Sequence, residues 1–258
     1  MTSGEGNPRS VHHSDAGHTS GGGQPGEADP QLIAKVALAN RILYDQGVVD
    51  GFGHVSVRHD RSPAHFLLAR NMAPGLVASE DILTFDHDGN ALDAGGRRLY
   101  LERFIHAEIY RARPDVQAVV HSHSPSVIPF AATRTPLRPI YHMSGFLGAG
   151  SAIFEIRDVA GDTDLLIRDP ALGRALASAL GTHSAILMRG HGSTVVGTSL
   201  EQAVYRAIYA ETNARLQSQA VALGEVTYLN EVEAAKAAAT NDTQIARAWE
   251  LWQRAVER

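Results

Sequence analysis

Cysteine is absent from the 258 residues. That excludes disulfides, thiolate metal sites and cysteine nucleophiles, and leaves imidazole nitrogen and oxygen to hold any metal. A basic excess is also missing. The formal charge is -5, which gives no electrostatic footprint for nucleic acid. No apolar run reaches the roughly 20 residues needed to cross a bilayer. The N-terminus lacks the apolar core of a signal peptide. The expectation is a cytoplasmic enzyme with neither nucleic acid nor membrane as partner. Large apolar side chains are scarce in residues 1–29, a stretch rich in Gly, Ser, Asp and His that buries too little to offset ordering. It reads as a disordered tail with a solvated His12–His13 pair. What remains, residues 30–258, reads as one globular domain, in a chain that is 44% hydrophobic and 20% charged.

Helices and strands alternate through that domain. Pro30 followed by "QLIAKVALANRILYDQG" predicts a helix closed by Gly47. "HVSVR" and "HFLLAR" read as strands. "EDILTFDHDGNAL" reads as a hairpin turning at Asp88-Gly89-Asn90. "LYLERFIHAEIYRARPD" is a helix ended by Pro114, and "VQAVVHSHS" a Val-rich strand. A short helix over Pro125–Ala132 and a strand in "SAIFEIRD" follow. "DPALGRALASALG" is a helix with an Asp-Pro start and a Gly stop. "SAILMRGHGSTVVG" gives two short strands about a Gly-His-Gly turn. A long helix begins at "SLEQAVYRAIYAET", and "EVEAAKAAATNDTQIARAWELWQRAVER" reads as a last helical stretch. The mixture predicts a layered α/β domain with a largely antiparallel sheet.

Three segments carry chemistry. His121 and His123 alternate along one strand and so share a face. They read either as two ligands for a borderline metal or as polar residues on the solvent face of an edge strand. His191 lies in "RGHGS", where glycines leave the imidazole accessible; it is a ligand or a plain turn residue. Glu102 and His106 stand at i and i+4 on one helical face. They form either a surface pair or a site from which the carboxylate reaches the strand histidines.

Together these residues resemble the class II aldolase/adducin superfamily. "LERFIHAEIYRARPDVQAVVHSHS", "LMRGHGSTVVGTSLEQAVYRAIYAET" and "GFGHVSVR" match its motifs in order and spacing, over roughly residues 31–225. The resemblance implies a single three-layer α/β/α domain around a mainly antiparallel sheet, in a homotetramer with active sites between subunits. It implies His121, His123 and His191 as metal ligands and Glu102 as acid/base. The metal it implies is zinc, with manganese, cobalt or iron in some branches.

The segments that cradle phosphate in sugar-phosphate aldolases are altered. Gly53-His54 stands in place of Gly-Asn, "ARNMAPGLV" in place of a Ser-Gly turn, and Tyr100-Leu101 in place of a Ser-Ser pair. A phosphate would lack donors there. His142, beside Tyr141, takes the place of the aldolases' tyrosine, which marks His142 as a second proton-transfer candidate and Tyr141 as a substrate contact. Arg70 is suited to a carboxylate or is a surface arginine; with His54 it is expected to hold the substrate. The pattern resembles the decarboxylase branch, acting on dihydroxyphthalates or carboxylated ring-cleavage products. It implies a metal-dependent decarboxylation of a small non-phosphorylated carboxylate through a metal-stabilised enolate. The alternatives are an aldolase for a non-phosphorylated substrate, a non-haem iron oxygenase and a non-catalytic adducin-like module.

Overall fold

A computed structural model describes residue 1, residues 26–133 and residues 135–257. Most of the stretch read as a tail, His12 and His13 included, lies outside the described residues. Asp29, at the end of that stretch, is already part of the domain. Its carboxylate accepts a hydrogen bond from the Gln31 amide at 2.9 Å and caps α1 (Pro30–Asp45).

The chain continues through β1 (His54–Arg58), β2 (His65–Ala69), β3 (Ile82–Asp86), α2 (Arg103–Ala112) and β4 (Ala118–Ser122). Then come α3 (Ile128–Ala132), a 3-10 turn at His142–Leu147, β5 (Ala152–Phe154), α4 (Arg157–Ala160), α5 (Pro170–Leu180), β6 (Ala185–Met188) and β7 (Gly192–Gly197). Three helices close it: α6 (Leu200–Leu223), α7 (Glu231–Asp242) and α8 (Ile245–Val256). Seven strands form one sheet in the order β3-β2-β1-β4-β7-β6-β5. Every neighbouring pair is antiparallel except β5 with β6. The expected α/β domain with a mainly antiparallel sheet is what the chain forms. One group of helices, α1, α6 and α8, packs together, and a second pair, α2 with α5, packs apart from them. No helix among the described residues is long and apolar enough to cross a membrane.

Local chemistry explains the element ends. Asp169 caps α5 through the Leu172 amide at 2.9 Å, and Gly181 follows that helix at φ +51°. Asn230 and Glu233 form a reciprocal capping box at the start of α7. Three expectations need revision. The hairpin after β3 returns through a single bridge, Phe85 to Ala91, because Asp86 gathers the turn amides onto its own carboxylate. The strand in "SAIFEIRD" stops at Phe154 and turns into α4. The last helical stretch breaks between α7 and α8, where Asn241 donates its amide to the His142 carbonyl at 2.7 Å and Thr243 bonds back to Thr240. Side chains bonded to backbone compete with helix propagation.

Candidate active site

Strand register gathers the first histidines. His54 stands opposite His121 across β1 and β4, and Thr194 stands opposite His121 across β4 and β7. His121 is therefore buried in the middle of the sheet, not exposed on an edge. His123 falls just past β4 on the same face, its ring 5.3 Å from that of His121. The turn between β6 and β7 brings His191 alongside. Gly190 there has φ +69°, and a Cβ on Gly192 would lie 2.1 Å from the Ser122 carbonyl oxygen. Glycine is thus required on both sides of His191, by backbone conformation at Gly190 and by packing at Gly192. The His191 ring lies 4.9 Å from those of His121 and His123.

Glu102 completes the group from the residue just before α2. Its Oε2 lies 3.6 Å from His121 Nε2 and 3.3 Å from His191 Nε2. Its Oε1 accepts the Ile167 amide at 2.9 Å. Burial alone would raise this carboxyl, but His191, His121 and the Ile167 N–H outweigh it and hold Glu102 at about 2. Burial pushes His121 and His123 below the ordinary imidazole range, Glu102 opposing it in both.

The ligand atoms of Glu102, His121, His123 and His191 all lie within 4.8 Å of one another. His121 Nε2 is buried with no hydrogen-bond partner, and His191 Nε2 lies 3.1 Å from His123 Nε2. An orphaned buried nitrogen among three imidazoles and a carboxylate is a donor set that fits a divalent cation.

A cavity of about 510 Å³ opens on this cluster, walled by His54, Met72, Tyr100 and Leu101 among others. The Tyr100 ring packs on His54 at 4.7 Å, and its hydroxyl donates to the Met72 carbonyl at 2.6 Å. Burial pushes the Tyr100 phenol up to about 12. Bulky, partly apolar side chains therefore stand on the cavity wall.

Residues 34–218 match the family described as Class II Aldolase and Adducin N-terminal domain. The chain belongs to this family. It is 40% identical over 240 residues to Decarboxylase tropJ of Talaromyces stipitatus, covering 84% of this chain and 90% of the relative. It is 36% identical over 203 residues to 3,4-dihydroxyphthalate decarboxylase of Arthrobacter keyseri, covering 73% of this chain and 78% of the relative. Among solved structures, L-fuculose 1-phosphate aldolase from Glaciozyma antarctica PI12 superposes with a TM-score of 0.72 at 26% identity, over 91% of this chain and 94% of that one. As a member of the class II aldolase/adducin family with such relatives, the chain is an enzyme of the carbon–carbon lyase kind.

Not every expected site residue reaches the cluster. Arg70 does not line the cavity; its Nε donates to Asp81 at 2.7 Å, so the guanidinium already holds a carboxylate of this chain. His142 is exposed, outside the cavity lining, and held by Asn241 through its backbone. Tyr141 is half-buried beside it, with a buried hydroxyl that has no partner; burial pushes that phenol up, with Tyr209 adding to it. His106, read above with Glu102 on one helical face, turns away from it and is fully buried. Its ring nitrogens meet His54 Nδ1 at 2.6 Å and Ser56 Oγ at 2.6 Å. Ser56 has no role assigned from the sequence. Its only signal there is its place two residues after His54, which puts both side chains on one face of β1.

Proposed function

We propose that the protein is a metal-dependent decarboxylase of a non-phosphorylated hydroxy or oxo carboxylate, aromatic or derived from ring cleavage, acting in the cytoplasm. One observation carries the reading. The three-imidazole, one-carboxylate cluster opens to a cavity walled by Tyr100, Leu101 and Met72, where a phosphate would need small donors. The two relatives named as decarboxylases support carbon dioxide as the leaving group.

His121, His123 and His191 would hold a divalent ion, zinc ahead of manganese, cobalt or iron, with Glu102 beside it. Once bound, such an ion supplies a Lewis acid for the electrons left behind when carbon dioxide departs. The chain does the rest. Tyr100, Leu101 and Met72 seat an apolar ring and keep water from it. His54 holds an oxygen of the substrate. Glu102, an anion in this setting, takes a proton at Oε2 from a substrate hydroxyl and returns it to the carbon that carbon dioxide has left. His142 and Tyr141 serve a site only from another copy of the chain. The working form is therefore a homo-oligomer, a homotetramer by family resemblance, with sites at subunit interfaces.

The test is product analysis. Zinc-loaded protein is given ortho-dihydroxylated benzoates and phthalates, including 3,4-dihydroxyphthalate, and separately pyruvate with an aldehyde. Carbon dioxide release from a member of the first set is expected. Condensation in the second, without carbon dioxide release in the first, makes the protein an aldolase and overturns the reading.

A further inference from the structure

We infer that His54 meets the substrate as a locked hydrogen-bond donor, its Nε2–H turned to the cavity, because a buried string of Tyr110, Ser56 and His106 fixes its tautomer. The string is continuous. Tyr110 Oη lies 2.8 Å from Ser56 Oγ, Ser56 Oγ 2.6 Å from His106 Nδ1, and His106 Nε2 2.6 Å from His54 Nδ1. All four residues are buried, and of the four only His54 lines the cavity.

Counting donors sets the direction. Each hydroxyl has one hydrogen to give, and each neutral imidazole has one N–H. Among the described residues Ser56 Oγ is the acceptor in hydrogen-bond geometry for the Tyr110 hydroxyl, with the Val119 backbone also lying against the phenol oxygen. If Tyr110 donates to Ser56, then Ser56 donates to His106 Nδ1. His106 then carries its hydrogen on Nε2 and donates to His54 Nδ1, and His54 carries its own on Nε2. Every group in the string is satisfied. Run the other way, Ser56 gives its hydrogen to Tyr110, and the phenol hydrogen is left buried without an acceptor. Interiors avoid that arrangement. A doubly protonated His54 fails on the same count, because it too drives the string toward Tyr110. Burial also holds His106 at about 3, against the pull of Glu102, and pushes the Tyr110 phenol up. Neither therefore loses or gains a proton to break the order.

The consequence is a specific division of labour. The His54 ring lies 5.0 Å from that of His121, yet its outward nitrogen carries a hydrogen, so it is neither a fourth metal ligand nor a base. It selects a substrate that offers an oxygen lone pair at that point, as a carboxylate or phenolate does, and disfavours an N–H or ammonium there. No Arg or Lys lines the cavity among the described residues, which leaves this N–H as a principal side-chain contact for an anionic oxygen. The inference rests on the proposed function only for the identity of that acceptor.

Neutron diffraction from the deuterium-exchanged, ligand-free protein reads the tautomers directly. Deuterium on Nε2 of both His54 and His106, and on neither Nδ1, is expected. Deuterium on His54 Nδ1 with a bare Nε2 overturns the inference whatever the reaction. The substrate contact is read by calorimetry with 3,4-dihydroxyphthalate on zinc-loaded His54→Phe, which keeps a ring against Tyr100. Loss of a hydrogen bond to a charged oxygen weakens binding by about tenfold or more, with zinc content unchanged. Equal binding by the variant removes His54 from the contact. Failure of the unmodified protein to bind this diacid counts against the proposed function and leaves the tautomer result standing.

Discussion

Glu102 is a charged group 7% exposed, kept ionised by His191 and His121. At the residue scale this makes its charge, not its shape, the quantity to remove. Glu102→Gln keeps an oxygen for the Ile167 amide and preserves volume. The expected result is retained metal with turnover lowered by about 10²–10⁴-fold, the usual span of a positioned proton-transfer group. Steady-state rates beside elemental analysis check it, and full activity in the variant removes Glu102 from the chemistry. The shared face of His121 and His123 was legible in the sequence because strand alternation is short-range and persists one residue past β4, whereas Glu102 and His191 joined the pair through the family resemblance. His106 was not legible. Its i,i+4 spacing from Glu102 is the same whether a helix face meets water or the sheet. Nor was the partner of Arg70, since Asp81 reaches it only through the pairing of β2 with β3, a register that composition does not disclose.

Elements hold these residues at fixed distances. β4 and β7 approach so closely at Gly192 that a methyl group there would overlap the Ser122 carbonyl. Gly192→Ala must push the two strands apart beside both His123 and His191. Overpacking of this kind costs roughly 1–3 kcal/mol. A lower midpoint in thermal unfolding together with weaker zinc retention is expected. Unchanged zinc retention would mean that the turn adjusts without moving His191. Element ends were well marked in the sequence where a cap and a stop coincide, as at Asp169-Pro170 and Gly181. They were poorly marked where side chains reach distant backbone. Asn241, which helps end α7 by bonding the His142 carbonyl, finds that partner 99 residues away in the chain.

At the scale of the whole molecule, the one-chain cavity lacks His142 and Tyr141, both named from resemblance. The sequence pointed to these residues but not to the site they would serve on the proposed reading, because nothing in a single chain's register discloses which face a second copy covers. Mixing separately inactive His142→Ala and His191→Ala chains after subunit exchange is expected to restore activity. Each mixed interface can pair an intact cluster with an intact His142. No recovery, with exchange verified by mass spectrometry, would place His142 outside the site. The metal assignment has a more direct measurement. Metal-free protein is titrated with zinc, desalted and analysed for bound metal, while carbon dioxide release from the dihydroxylated carboxylates is followed in parallel. A single zinc ion per chain, with release rising in proportion and both lost in His123→Ala, is the expected result. Full release by the metal-free protein, or unchanged zinc in His123→Ala, contradicts it.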